Sequence, residues 1–217
     1  MRRLLVGLLV AAVLAPAATA SNGIESKSAA QIVAAATRAG AAAKTVHVSA
    51  SLGALKFDLD IVAGKGGKGT MVQNGVSFDL VRIGKLAFFR GSDKFWRQFG
   101  GTAAVQLFHG KWMRAPSTKG DLASLTPLTN LGALIRQSLG SHGKLVKGKT
   151  STFHGQHVVA VKDVSKGGTL YVATDGAPYP VALTNSKEHG VITFDHWNAS
   201  VSLSAPAQSI DITKLKK

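Results

Sequence analysis

Polar and apolar residues alternate with a period of two over much of this chain, and two stretches break that alternation with helical spacing. The first break opens at Ser28-Ala-Ala-Gln31, a capping-box pattern in which Ser caps the third residue's amide and Gln returns the bond. Behind it runs an alanine-rich segment with Ile32, Val33, Ala36 and Ala39 at helical spacing, which predicts a slim helix over residues 28–43. From Thr45 the period becomes two. Val46, Val48 and Ala50 alternate with His47, Ser49 and Ser51, and Phe57, Leu59 and Ile61 alternate with Asp58 and Asp60. Residues 64–69, GKGGKG, read as a flexible hairpin turn. Strands are predicted over 70–73, 76–83 and 86–90, with Asn74-Gly75 as a type I′ turn between the first two. Residues 45–90 thus read as an antiparallel meander.

The next segment gathers Phe95, Trp96, Phe99, Phe108 and Trp112. A short helix is predicted around 103–108 and a brief strand at 111–114, ended by Pro116. Leu122, Leu125, Leu128, Leu131, Leu134, Ile135 and Leu139 then form one apolar stripe, read as a helix kinked at Pro127. Strands return at 144–147, 157–163, 169–174, 180–184, 190–197 and 201–204, before an irregular tail from Ala205-Pro206. No repeat of fixed period and no linker divides residues 21–217, which read as a single domain.

Residues 1–20, MRRLLVGLLVAAVLAPAATA, have the layout of a cleaved signal peptide: Arg2 and Arg3, an apolar core over 4–14, and the small residues Ala18-Thr19-Ala20. The apolar run is shorter than the roughly twenty residues a membrane-spanning helix needs. The expected location is extracytoplasmic, in the cell envelope or secreted. The chain contains no cysteine, which excludes disulfides and thiol catalysis.

The charge is strongly basic, 26 Lys and Arg against 11 Asp and Glu for a formal +15. Such a field attracts polyanions. For an exported chain these are anionic lipid head groups or wall polymers rather than nucleic acid. The lysines are dispersed without a tight motif, so solubility and loose envelope association account for them equally. Catalytic chemistry finds no foothold. There is no Gly-x-Ser-x-Gly elbow. Asp58 and Asp60 read as the solvent side of an amphipathic strand. His154 and His157 lie three apart in a strand-like segment and so point to opposite faces, short of the three or four convergent ligands of a zinc site. We assign no catalytic residue, no cofactor and no metal.

Several short segments carry a resemblance through their order. They are Lys44-Thr45-Val46-His47 after the alanine-rich helix, Leu86-Ala87-Phe88-Phe89 before Asp93-Lys94-Phe95-Trp96, and Gly110-Lys111-Trp112-Met113. Leu170-Tyr171-Val172-Ala173-Thr174 follows, then Ala177-Pro178-Tyr179-Pro180-Val181, Phe194-Asp195-His196-Trp197 and Ala205-Pro206. In these the chain resembles the LolA-like, LppX/LprG-type exported lipoproteins of actinobacteria, over residues 26–213. The resemblance implies an α+β fold: a curved, unclosed antiparallel half-barrel with helices covering its concave face. It also implies a non-enzymatic carrier or sensor whose apolar cavity takes the acyl chains of a lipid or acylated glycolipid, with peripheral membrane contact. Members commonly carry a lipidated cysteine just after the signal. Here Ser21 follows Ala20, which predicts a carrier without a lipid anchor. The alternative is a basic envelope protein that binds anionic wall polymer or a partner protein and has no lipid cavity.

Candidate cavity residues follow from the pattern. Phe57, Leu59, Ile61, Phe78 and Leu80 share one side of the first sheet region. Leu128, Leu131, Leu134 and Ile135 come from the covering helix, and Phe88 and Trp96 are placed at the mouth. Plain core packing would use the same positions. Lys94, Arg97, Lys111 and Arg114 could meet an anionic head group, although surface solvation explains these charges better.

Overall fold

A computed structural model describes residues 20–186 and 189–215, so the predicted leader lies outside the described residues except for Ala20. Ser21 bridges to Asp175, and Asn22 donates its backbone N–H to the Thr174 carbonyl at 2.6 Å. Helix α1 (Ala29–Ala42) starts with the expected capping box. Ser28 Oγ accepts from the Gln31 N–H, and the Gln31 side chain accepts from the Ser28 N–H.

Five consecutive antiparallel strands follow: β1 (Thr45–Leu52), β2 (Leu55–Val62), β3 (Gly66–Gln73), β4 (Val76–Ile83) and β5 (Leu86–Gly91). The turn at Asn74-Gly75 has positive φ at both residues, 53° and 72°, as a type I′ turn requires. The glycine-rich stretch departs from expectation. Gly66 already belongs to β3, and only the residues before it turn. At Gly69 (φ +153) an added Cβ would sit 1.9 Å from the Asp58 carbonyl oxygen, so the strand runs here in a form open only to glycine.

Helix α2 (Asp93–Phe108) is longer than the short helix expected at 103–108 and is broken at Gly100 and Gly101, whose φ/ψ are −163°/21° and 65°/−156°. A straight helix of this length would be about 24 Å long. Yet His109 just past its end meets Asp93 at its start, Nδ1 to Oδ1 at 2.6 Å. The break therefore doubles the helix back into a hairpin of two limbs. Strand β6 (Met113–Pro116) pairs with β5.

The leucine stripe is likewise not one helix. It forms 3₁₀ turns at Gly120–Leu125 and Pro127–Thr129, then α3 (Leu131–Gly140) capped by Asn130. Leu122, Leu125, Leu128, Leu131 and Leu134 recur every third residue, which is the 3₁₀ period and not 3.6. Pro127 also removes the amide that a continuous α-helix would need there.

The second meander is β7 (Leu145–Phe153), β8 (Gln156–Asp163), β9 (Gly168–Ala173), β10 (Pro180–Asn185) and β11 (Gly190–Asp195). The strand expected at 201–204 is absent. Instead β12 (Ile210–Asp211) adds to β6 in parallel, followed by a 3₁₀ turn at Ile212–Lys214.

The twelve strands of the described residues form one sheet in the order β12-β6-β5-β4-β3-β2-β1-β11-β10-β9-β8-β7, whose two ends do not pair with each other. The fold is α+β with an unclosed antiparallel sheet, as expected. The meanders meet where β1 pairs with β11, with Val48 opposite Phe194. The exposed edge β7 carries Lys147 and Lys149 and a bulge between Lys147 and Thr150, features that discourage edge-to-edge pairing. Alternate residues of each strand face the helices. Val46, Val48, Leu59, Ile61, Leu80, Val159, Val161, Val172 and Phe194 pack there with Ile32, Val33 and Ala36 of α1 and Leu131, Leu134, Ile135 and Leu139 of α3. At Gly40 the two helices come so close that an added Cβ would lie 3.2 Å from Ile135 Cδ1.

Candidate functional site

The helix-facing side of the sheet is not filled evenly. Under α1 and α3 the core is packed, leaving a pocket of about 170 Å³ beside Val33, Leu139 and Leu170. At the other end, between β2–β6 and α2, a cavity of about 660 Å³ lies open to solvent. That size falls within the 300–1,000 Å³ of typical small-ligand sites.

Each wall of the cavity comes from a different element. Leu55, Met71, Phe78, Phe89, Met113 and Ala115 form the floor from strands β2–β6. Phe95, Trp96, Phe99 and Phe108 come from both limbs of α2. Leu122 and Leu125 project from the first 3₁₀ segment, and Ile212 and Leu215 from the turn after β12. The aromatic rings of α2 pack on one another: Phe95 on Trp96 at 5.0 Å, Phe95 on Phe99 at 4.6 Å and Trp96 on Phe108 at 5.0 Å between centroids. They hold the hairpin's shape without filling the space beneath it.

The polar lining side chains, Gln73, Lys119, Ser124 and Thr213, are all exposed and therefore sit at the rim. Lys119 is the charged one among them. The floor is apolar, with Met71, Met113 and Ala115 buried and Leu55, Phe78 and Phe89 half-buried. This division, an apolar interior below a polar rim with one cation, suits a molecule with an aliphatic part and a polar or anionic end. One buried polar atom in the cavity wall stands apart. Trp96 is 7% exposed and its indole N–H has no acceptor. A buried donor left in this state costs about 1–3 kcal/mol.

Of the sequence candidates, Phe78 and Trp96 line the cavity. Phe57, Leu59, Ile61, Leu80, Leu131, Leu134 and Ile135 face the same side but lie within the packed core, with Leu128 half-buried against it. Phe88 does not reach the mouth. Its neighbour Phe89 lines the cavity, so Phe88 points to the opposite, convex face, where its register partners are Val81 and Arg114. Arg114 pairs there with Asp211 at 3.5 Å, and Trp112 carries Arg90 over its ring at 4.9 Å. The floor residues Met71, Phe89, Met113 and Ala115 and the C-terminal Ile212 and Leu215 were missed. The available signal was the aromatic cluster at 95–108 interrupted by Gly-Gly, a pair that breaks a helix.

On the convex face, His47 has a carboxylate at each ring nitrogen: Asp195 at 2.7 Å from Nδ1 and Asp58 at 3.1 Å from Nε2. Burial pulls its pKa down, but the hydrogen bonds to Asp58 and Asp195 outweigh that and hold it above the usual histidine value. His196 Nδ1 also meets Asp195 Oδ1, at 2.8 Å. His47, Asp195 and His196 thus form a three-donor group of the kind a metal ion could use, with its donors occupied by one another. Ser49 lies on the same strand face, bonded to Thr193 at 2.6 Å. Neither nitrogen of His47 is free to take its proton.

No family model matches the chain, and no curated protein matches it. Solved structures do. LprF from Mycobacterium bovis aligns with a TM-score of 0.57 at 17% identity, over 88% of this chain and 100% of LprF. The Mycobacterium tuberculosis lipoprotein LppX aligns with a TM-score of 0.53 at 18% identity, over 81% and 98% of the two chains. The chain shares the fold of LprF and LppX. At such identity the likeness concerns the path of the backbone. The LppX-like sheet and its covering helices carry over, and the side chains that line this cavity are the chain's own.

Proposed function

We propose that residues 21–217 form a single exported domain that binds the acyl part of a lipid or acylated glycolipid, as a non-enzymatic carrier or sensor in the cell envelope or outside it. The observation that carries this reading is the 660 Å³ cavity with an apolar floor and its polar side chains confined to the rim. An aliphatic chain would lie over Met71, Phe89 and Met113, while its polar end remains near Lys119. The resemblance to LppX/LprG-type lipoproteins supports the same ligand class, and the lipoprotein character of LppX supports an envelope location. Ser21 in place of a lipidated cysteine favours a form without an anchor.

The test is extraction of the purified exported protein with organic solvent and mass spectrometry of the extract, together with titration of a fluorescent fatty acid. Co-purifying lipid and saturable fatty-acid binding at one site are expected. A clean extract with no fatty-acid binding would sink the reading. The formal +15 charge favours one rival, a basic protein that binds anionic wall polymer. Salt-sensitive binding to such polymer, alongside a clean extract, would put that rival in its place.

A further inference from the structure

Phe99 lines the cavity and is also 69% exposed, so one ring forms both an inner wall and part of the outer surface. It sits at the bend of the α2 hairpin, next to Gly100 and Gly101. On the second limb Leu107 is 58% exposed, and across the mouth Leu215 is 45% exposed. Phe99 and Leu215 thus display large apolar side chains at one opening, with Leu107 on the same hairpin as Phe99.

Charge identifies the partner. Lys94 and Arg97 lie on the first limb, Lys111 follows the second, and Lys119 stands on the rim. All four are exposed, and none forms an ion pair with a described residue. Of the acidic groups near the hairpin and the C-terminal turn whose side chains are described, Asp93 and Asp211 are held by His109 and Arg114. What remains is a hairpin with exposed apolar side chains, flanked along its length by cations without ion-pair partners among the described residues. That arrangement fits a surface dense in phosphate, where cations need no fixed geometry and a few apolar side chains enter the acyl boundary.

We infer that the α2 hairpin, through Phe99 at its bend and Leu107 on its second limb, docks on an anionic lipid bilayer and brings the cavity mouth against it. The purpose of this contact rests on the lipid-binding reading above; the contact itself can be measured alone. With Phe99 on both sides of the opening, an acyl chain would pass from bilayer to cavity along apolar side chains without crossing water.

The test is co-sedimentation of the exported protein with vesicles of phosphatidylcholine alone or mixed with phosphatidylglycerol, at low and high salt. Binding is expected to the anionic vesicles only, weakening with salt. The double variant Arg97→Glu/Leu107→Ser alters no cavity-lining residue. It should bind these vesicles at least about ten-fold more weakly while taking up a fluorescent fatty acid as the unaltered protein does. Lys94→Gln/Lys111→Gln, a milder pair, should weaken binding in the same direction if the first variant folds poorly. Equal binding to both vesicle types, no binding, or undiminished binding by the variants overturns the inference. So does a dimer in light scattering that Leu107→Ser abolishes, since a second copy would then cover the hairpin. Salt-sensitive vesicle binding without fatty-acid uptake would leave the docking surface standing and remove the carrier function.

Discussion

The two ends of one sheet face are treated differently. Over β7–β11 the slim alanine side of α1 lets α1 and α3 sink onto the strands, and Ile32, Ala36, Ile135 and Phe194 are almost wholly buried among them. Over β3–β6 the covering element is a bent aromatic hairpin that packs mainly on itself, and the sheet beneath it stays partly uncovered. Burying a large aliphatic side chain contributes about 1.5–3 kcal/mol. The filled end supplies that stabilisation, and the hollow end gives some of it up for space. Close packing and open volume are therefore assigned to different parts of the same sheet.

The contrast can be tested by substitution at each end. Ile135→Ala in the filled end should cost about 2–5 kcal/mol, read as a lower urea midpoint at unchanged slope. A cost no larger than that of Phe89→Ala, whose ring already borders open space, would erase the distinction. Gly40→Val drives a side chain into Ile135 and Trp197 at the closest approach of α1 to α3. It should cost about 1–3 kcal/mol by overpacking. Ala115→Phe, placed in the floor of the cavity, should change stability by less than about 1 kcal/mol because there is room for the ring. It should nevertheless reduce fatty-acid binding at least about ten-fold by occupying the site. Retained binding would show that ligand lies elsewhere.

The smallest effect belongs to the convex face. His47 has its folded pKa raised above the unfolded value near 6.5, so it adds stability at pH values below that. The contribution is lost as pH rises through the folded pKa. The melting temperature of the unaltered protein should exceed that of His47→Gln most at acid pH, with the gap narrowing above neutrality. A gap constant with pH would mean that the ring's charge is not involved.

Local chemistry was legible in the sequence, and coverage was not. Ser28 and Gln31 announce the start of α1, and Asn74-Gly75 announces its hairpin, because each feature is written within four residues. Alternation correctly places Phe57, Leu59, Phe78 and Leu80 on one face. It says nothing about which part of that face a helix will cover, and so Phe78 meets the cavity while Leu59 and Leu80 do not. The same logic hid Phe88: neighbouring phenylalanines on a strand look alike in sequence but face opposite sides. The hollow arises from the fold-back at Gly100-Gly101 and from the arrival of residues 210–215 beside β6. Both are tertiary events. The spacing of three in Leu122, Leu125 and Leu128 was the overlooked local cue, since it distinguishes 3₁₀ turns from the α-helix that was expected.

The seam between β1 and β11 has a consequence for how the chain folds. Every other antiparallel neighbour in the sheet is also a near neighbour in sequence, whereas His47 and Asp195 are 148 residues apart. Contacts closed over short loops form quickly, and those closed over long ones are slow. Two ribbons can thus assemble independently, one from each meander, before the β1–β11 row of backbone bonds joins them. Hydrogen exchange during refolding should find the amides of that row protected last, with both ribbons already formed on either side.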